Sequence, residues 1–177
     1  MTSRILIAGF GGQGILFAGK QLAGCAMHKG RHVSWLPSYG PEMRGGSASC
    51  SVIISDKEIG SPIISQPDIL IAFNYPSFLR FEPSVSEGGL ILANSSLIGS
   101  KSERDDISAH YIPATEIATA EGLDGSVNVI MLGYLLYVTR LFDYDEFIGS
   151  FLSGIPASKS ALIEGNKKAL RLGYEYR

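Results

Sequence analysis

The chain has 177 residues, of which 45% are apolar and 18% charged, and its net charge is −2. These values are typical of a folded globular protein and exclude the basic surface that binds nucleic acid or an acidic membrane. The two cysteines, Cys25 and Cys50, are too few for a disulfide framework, a four-cysteine iron–sulfur cluster or a structural zinc site. We therefore predict that this chain holds no metal by itself.

The start of the chain and its lack of linkers bear on location and domain number. Met1 to Arg4 lead directly into a strand-like run, which leaves no room for a signal peptide, so we expect a cytoplasmic protein. No internal repeat or low-complexity linker interrupts the sequence. Residues 1–177 are therefore predicted to form a single domain.

The first forty residues have the pattern of a strand, a glycine turn, a helix and a second strand. Residues 4–8 are a short apolar run that predicts a buried strand, and residues 15–27 carry apolar side chains at helical spacing. Gly30 ends that helix, and residues 32–36 predict the second strand. In such a unit the two strands run parallel and the crossover is right-handed.

The middle of the chain predicts further strands. Cys50, Val52 and Ile54 alternate with smaller or polar neighbours, which predicts a strand at residues 48–55 that turns into Ile59 as a hairpin off the main sheet. Other strands are predicted at residues 68–73, 89–93 and 109–112, followed by a small helix at residues 114–121.

The last third of the chain predicts helices. Residues 126–142 are apolar nearly all round but shorter than the about 20 residues of a membrane span, so we predict a buried helix, part of which can face a partner subunit. Asp143 and Glu146 resemble a capping box, and residues 158–174 are amphipathic. The predicted fold is α/β: a three-layer sandwich with a doubly wound, mostly parallel sheet, an added hairpin and a helical C-terminal third.

Residues 9–14, Gly-Phe-Gly-Gly-Gln-Gly, have the spacing G-x-G-x-x-G between a strand and a helix. A backbone without side chains approaches a phosphate closely, and free N–H groups at a helix start attract negative charge. Tight packing of strand on helix, or close contact with a neighbouring subunit, are the alternatives. We predict cofactor binding by Gly9, Gly11, Gly12, Gln13 and Gly14.

A dinucleotide site also needs an acid at the end of the second strand, where it binds the ribose hydroxyls. Residues 35–38 are Trp-Leu-Pro-Ser, and the first acid after them is Glu42, beyond Pro41. A stand-alone NAD- or FAD-dependent oxidoreductase is therefore the disfavoured alternative.

Residues 38–46, Ser-Tyr-Gly-Pro-Glu-Met-Arg-Gly-Gly, are a charged, glycine-rich loop in the place of that acid. Arg44 suits a carboxylate or phosphate, and Glu42 can orient it or accept a proton, so we predict these two as catalytic. An exposed ion pair of little energetic value is the alternative. The other residues predicted for the cofactor site are Ser38, Tyr39, Gly40, Gly45 and Gly46.

Two asparagines end predicted parallel strands. Asn74 and Asn94 lie at the carboxyl ends of these strands, the edge at which open α/β sheets bind ligands. We assign Asn74 to the cofactor site and regard Asn94 as a secondary candidate, although asparagine also commonly closes a strand into a turn.

Residues 9–15 and 38–46 together resemble the gamma subunit of the 2-oxoacid:ferredoxin or flavodoxin oxidoreductases. The likeness continues through Ser55, Ser61-Pro62, Gln66-Pro67-Asp68, Asn74 and Asn128, and so covers nearly the whole chain. It implies a subunit of a complex in which thiamine diphosphate attacks the keto carbon of a 2-oxoacid. Electrons then pass to iron–sulfur centres, and coenzyme A takes the acyl group.

The resemblance also implies where the other cofactors lie. Thiamine diphosphate, its magnesium ion and the iron–sulfur cluster would sit in partner subunits: thiamine-binding alpha and beta subunits and a ferredoxin-like delta subunit. The sequence agrees, since it has no Gly-Asp-Gly motif of a magnesium–diphosphate site. We expect no activity from this chain alone, and ferredoxin or flavodoxin as the acceptor of the complex.

The residue sequence of the 38–46 loop bears on which 2-oxoacid is the substrate. Ser-Tyr-Gly-Pro-Glu-x-Arg-Gly-Gly resembles 2-oxoglutarate and branched-chain members, which favours oxidation of 2-oxoglutarate to succinyl-CoA and carbon dioxide. A pyruvate or branched-chain member of the family, and a pure scaffold subunit, are the alternatives.

Overall fold

The computed structural model describes residues 1–40, 46–155 and 160–177. Within these ranges the chain forms strands and helices that alternate in its first two thirds and helices alone in its last third. The strands are β1 (Thr2–Phe10), β2 (His32–Tyr39), β3 (Ser47–Ser55), β4 (Ile69–Ala72), β5 (Leu90–Asn94) and β6 (Ser108–Ile112). The α-helices are α1 (Ile15–His28), α2 (Tyr75–Phe81), α3 (Ala114–Ala120), α4 (Val127–Thr139), α5 (Tyr144–Ser153) and α6 (Leu162–Glu175).

The strands form one sheet in the order β2-β3-β1-β4-β5-β6. β1, β4, β5 and β6 pair in parallel, and Ile5 of β1 lies opposite Ile69 of β4. β3 is antiparallel to both of its neighbours, β1 and β2. Five strands therefore end at the same end of the sheet, where open α/β sheets bind their ligands.

Strand alternation in β1 divides the core between the two faces of the sheet. Ile5 and Ile7 join a large cluster with residues of α1, α3, α4, α5 and α6. Leu6 and Ala8 join a smaller cluster that includes Phe78 of α2. The sheet is thus the central layer between a thick and a thin helical layer, and the predicted three-layer α/β class is confirmed.

The predicted hairpin off the main sheet is wrong. β3 lies inside the sheet between β2 and β1, and Ile59 belongs to no strand. Cys50, Val52 and Ile54 are buried in the cluster beneath α1, and Ile53 is buried on the other face, so β3 is covered like a central strand. The hairpin that exists joins β2 to β3. β1 and β2 run parallel, as predicted, but are not neighbours.

Helix α4 is buried, as its sequence predicts, and packs against α6, α3 and α1. Two glycines allow α4 and α6 to meet backbone to backbone. A Cβ on Gly133 would overlap the carbonyl oxygen of Leu170, and one on Gly173 would overlap that of Ile130. No helix within the described ranges has the length and apolar character needed to cross a membrane.

The remaining helices differ in how well local sequence patterns predicted them. Asp143 caps α5 by accepting hydrogen bonds from the backbone N–H groups of Asp145 and Glu146, at 2.9 and 3.2 Å. Helix α2 was not predicted, because Asn74, which caps it, was interpreted as the end of a strand and as a site residue. The helix predicted at residues 158–174 is observed as α6, while residues 156–159 lie outside the described ranges.

Candidate functional site

The glycine turn joins β1 to α1, and two of its glycines have a backbone that other residues rarely adopt. Gly12 has φ +99° and Gly14, which precedes α1, has φ +75°. A Cβ on Gly14 would also overlap the side chain of Asn128, whereas the space beside Gly12 is open to 4 Å. Packing therefore accounts for Gly14, while Gly12 presents exposed backbone without an obstructing side chain.

Gln13 holds the turn from within. Its Oε1 accepts a hydrogen bond from the backbone N–H of Phe10 at 2.6 Å and another from Nδ2 of Asn74 at 3.1 Å. A Cβ on Gly9 would lie 2.5 Å from the same oxygen, so Gly9 makes room for it. The side chain of Gln13 is thus turned inward and fixes the shape of the turn.

Asn74 is buried and serves two elements at once. Its Oδ1 accepts from the backbone N–H of Ser77 at 2.9 Å and caps α2, while its Nδ2 donates to Gln13. Asn94 is also buried, and its Nδ2 donates to Oγ1 of Thr115 at 2.9 Å, which ties β5 to α3. Asn74 therefore positions the glycine turn, and Asn94 lies apart from it.

Asn128 was not among the predicted site residues, yet it contacts the glycine turn. It is 7% exposed in the first turn of α4, and its Nδ2 donates to the carbonyl oxygen of Gly14 at 3.2 Å. The sequence feature that could have indicated this role is the single amide side chain at the start of an otherwise apolar helix. α4 thereby fixes the residue at which α1 begins.

The turn and the 38–46 loop meet through the backbone. Gly11 donates its N–H to the carbonyl oxygen of Gly46 at 2.9 Å, and Gly40 donates to the carbonyl oxygen of Ser47 at 2.7 Å. Both ends of the loop are therefore fixed beside the glycine turn. Glu42, Arg44 and Gly45 of this loop lie outside the described residues, so their proposed roles remain predictions.

Two clefts open at this end of the sheet, and both are lined by Phe10, Tyr39 and Ala48. The glycine cleft, of about 250 Å³, lies over the turn and the start of α1. The serine–arginine cleft, of about 360 Å³, lies between the β2–β3 hairpin and α2 and is lined by Ser38, Ser47, Ser49, Ser77, Arg80 and Phe81 among others. No described residue lining either cleft is acidic.

Both cysteines are core residues. Burial raises the pKa of the Cys50 thiol to about 12, partly offset by a hydrogen bond with Trp35. Burial likewise raises the pKa of Cys25, whose helix neighbour His28 shares a hydrogen bond of 2.9 Å with Ser150. A thiol with a raised pKa stays protonated near neutral pH, so neither cysteine is an activated nucleophile.

The sheet order also bears on dinucleotide binding. In a nucleotide-binding βαβ unit the second strand lies beside the first, so that its terminal acid faces the glycine turn. Here β3 lies between them, and residues 47–49 of its first half stand next to the end of β1. The geometry agrees with the missing acid in disfavouring this mode of binding.

The sequence and fold were then compared with known proteins. The family model described as pyruvate ferredoxin/flavodoxin oxidoreductase matches residues 4–176. The chain belongs to this family. The match spans both motifs and all six strands from Arg4 onward, in agreement with the resemblance carried by the glycine turn and the loop.

Three known proteins are similar to this chain over nearly its whole length. The VorA subunit of ketoisovalerate oxidoreductase from Methanothermobacter marburgensis is 39% identical over 98% of this chain, which spans only 36% of that relative. The KorC subunit of 2-oxoglutarate synthase from Methanocaldococcus jannaschii is 33% identical, with 99% of this chain and 94% of the relative covered. The crystal structure of a keto/oxoacid ferredoxin oxidoreductase gamma subunit from Geobacter sulfurreducens superposes with a TM-score of 0.86 at 28% identity, covering 99% and 95% of the two chains.

Proposed function

We propose that this chain is the gamma-type subunit of a thiamine-diphosphate-dependent 2-oxoacid:ferredoxin or flavodoxin oxidoreductase. The observation that carries the proposal is the hydrogen bond from Gly11 to Gly46, because it joins the two family motifs into one site. Family membership and the likeness to a gamma subunit over the whole chain support it. The chain would be a single-domain, cytoplasmic component of the complex.

Coenzyme A is the cofactor that this site fits. The space beside the exposed backbone of Gly12 is open, and α1 starts immediately after the turn. A phosphate can therefore approach the N–H groups at the start of the helix. When bound, coenzyme A supplies the thiol that accepts the acyl group. The role of this chain is to bind and orient it: the turn holds phosphate and Gln13 fixes the turn. Arg44 is proposed to contact an anion, and Glu42 to orient Arg44.

Thiamine diphosphate, magnesium and the iron–sulfur cluster belong, in this proposal, to partner subunits of the alpha, beta and delta type. The two buried cysteines support this division, because neither is available as a cluster ligand. We therefore expect the isolated chain to hold none of these cofactors and to turn over no substrate.

We propose 2-oxoglutarate as the substrate. The spelling of residues 38–46 supports it, as does the likeness to a 2-oxoglutarate synthase subunit of nearly the same length. A branched-chain 2-oxoacid is the second candidate, supported by the higher identity to the ketoisovalerate subunit.

Purification of the native complex through a tag on this chain tests the proposal. The complex should reduce ferredoxin or a viologen dye only when a 2-oxoacid and coenzyme A are both present. A panel of 2-oxoglutarate, 2-oxoisovalerate and pyruvate then ranks the substrates by kcat/KM. Activity that ignores coenzyme A, or tight NAD or FAD binding by the isolated chain, would overturn the proposal.

A further inference from the structure

The serine–arginine cleft lies on the opposite face of the β2–β3 hairpin from the glycine cleft. Residues paired across antiparallel strands point to the same face, and alternate residues point to opposite faces. Ser38 pairs with Ser49, and Phe10 of β1 pairs with Ser47. The three serine side chains therefore share the face that looks toward α2.

The other face of β3 has a different composition. Ala48, Cys50 and Val52 are all buried in the main core beneath α1. Their neighbours Ser47, Ser49 and Ser51 place a row of hydroxyl groups on the opposite face. Hydroxyl groups donate hydrogen bonds to an anion without adding negative charge.

Arg80 supplies the positive charge of this cleft. It is exposed near the end of α2, and its guanidinium lies 5.0 Å from the ring centroid of Phe81, which also lines the cleft. No ion pair of Arg80 is found among the described residues. Arg104 differs, since it pairs with Asp106 and donates to the carbonyl oxygens of Glu82 and Val85.

A planar guanidinium beside hydroxyl donors, with no acid in the described lining, selects for a carboxylate or phosphate. The volume of about 360 Å³ lies at the small end of ligand pockets, so it suits one end of a ligand. The two clefts share the lining residues Phe10, Tyr39 and Ala48, so they adjoin at this end of the sheet.

We propose that Arg80 and the serines of β2 and β3 form an anion subsite, separate from the glycine turn, for a phosphate or carboxylate of a ligand of this complex. The identity of that ligand rests on the proposed function. A phosphate would come from coenzyme A, and a carboxylate from the 2-oxoacid. Both sources share the same recognition chemistry.

Arg80→Gln in the purified complex tests the subsite, with Arg171→Gln on α6 as a control that removes the same charge from another exposed site. Arg80→Gln should raise one KM by roughly tenfold with little change in kcat, since charged hydrogen bonds contribute about that much. Arg80→Lys should restore part of the loss. A rise confined to coenzyme A identifies the phosphate, and a rise confined to the 2-oxoacid identifies the carboxylate. Unchanged KM values for both would overturn the subsite.

Titration of the full-length chain with inorganic phosphate, followed by NMR, tests the subsite without turnover. Shifts of the Ser47, Ser49 and Arg80 signals that are absent in Arg80→Gln support it, and no shifts in the wild type would contradict it. This experiment also decides the matter if the variant complex does not assemble. If the wild-type complex lacks coenzyme A-dependent activity, the proposed function fails, whereas the phosphate titration still reports on the cleft.

Discussion

The backbone N–H of Gly11 donates to the carbonyl oxygen of Gly46 across 2.9 Å, although 35 positions separate them (46 − 11). The bond joins the middle of the glycine turn to the end of the loop that occupies the place of a ribose-binding acid. Neither residue has a side chain, so the contact brings two backbones together. The middle of the glycine turn and the end of the loop are therefore held side by side.

Gly14→Ala is expected to lower the free energy of unfolding by about 2–4 kcal/mol. The φ of +75° strains any residue with a Cβ, and that Cβ would overlap Asn128. Gly24→Ala within α1 is the control, because its Cβ would meet nothing within 4 Å. It should stabilise the chain by about 0.5–1 kcal/mol. Urea unfolding of the full chain measures both, and equal effects would contradict the prediction.

Asn74→Asp separates the two hydrogen bonds of Asn74. The carboxylate still accepts from Ser77 and caps α2, but it has no N–H to donate to Gln13. We expect a KM for coenzyme A raised about tenfold in the complex, and a stability loss of about 1–3 kcal/mol because the buried carboxylate faces Oε1 of Gln13 without a donor. Asn166→Asp on α6 is the matched control. A wild-type KM in Asn74→Asp would show that the link to Gln13 has no functional role.

Gly133→Ala and Gly173→Ala are each expected to destabilise the chain by about 3 kcal/mol or more. The added methyl group would overlap a backbone carbonyl of the facing helix, which cannot yield as a side chain can. Gly165→Ala on α6 is the control, since its Cβ would lie 3.5 Å from Leu123 in ordinary contact. Thermal unfolding followed by circular dichroism compares the three. A mild loss at both crossing positions would mean that α4 and α6 separate easily.

Arg44→Ala tests the role predicted for the loop. In the assembled complex it should reduce kcat/KM for coenzyme A or the 2-oxoacid by about tenfold or more, because a charge-assisted hydrogen bond is lost. Arg31→Ala, which breaks an exposed pair with Asp56, is the control. Unchanged kinetics would remove Arg44 from the site, and failed assembly would favour a scaffold role.

The raised pKa of the buried Cys50 thiol leads us to expect a loss of stability in alkaline solution. Its folded pKa of about 12 lies above the ordinary thiol value of 9.0, so the unfolded chain loses the proton first as pH rises. The free energy of unfolding should therefore be unaffected below pH 9 and fall above it, by at most about 1.4 kcal/mol per pH unit from this group. Cys50→Ala should flatten the slope between pH 9 and 10. An unchanged slope, measured by urea unfolding, would contradict the prediction.

Local patterns were enough to predict most elements of the fold. The apolar run of β1, the turn, and the helical period of α1 lie close together in sequence and were identified with bounds near those observed. The position of β3 could not be predicted from local patterns, because its pairing with both β1 and β2 depends on contacts between segments that are distant in sequence. The sequence did contain one sign of this position: Val52 and Ile53 are adjacent apolar residues, and both are buried, one on each face of β3.

The site was predicted in part for the same reason. Gly12 and Gly14 follow from a local motif, and their backbone angles agree with it. Asn128 and Arg80 come from distant parts of the chain, and nothing in their immediate sequence pairs them with residues 9–14 or with the serines of β3. Only the fold brings them to the same end of the sheet.

The antiparallel pairing of β2 with β3 means that paired residues flank residues 41–45 on both sides, since Tyr39 pairs with Ala48 and Gly40 donates to Ser47. Residues between two paired strands can be exchanged without altering the path of the chain through the core. Transplanting these five residues from a relative with another 2-oxoacid preference is thus an engineering route that leaves the scaffold intact.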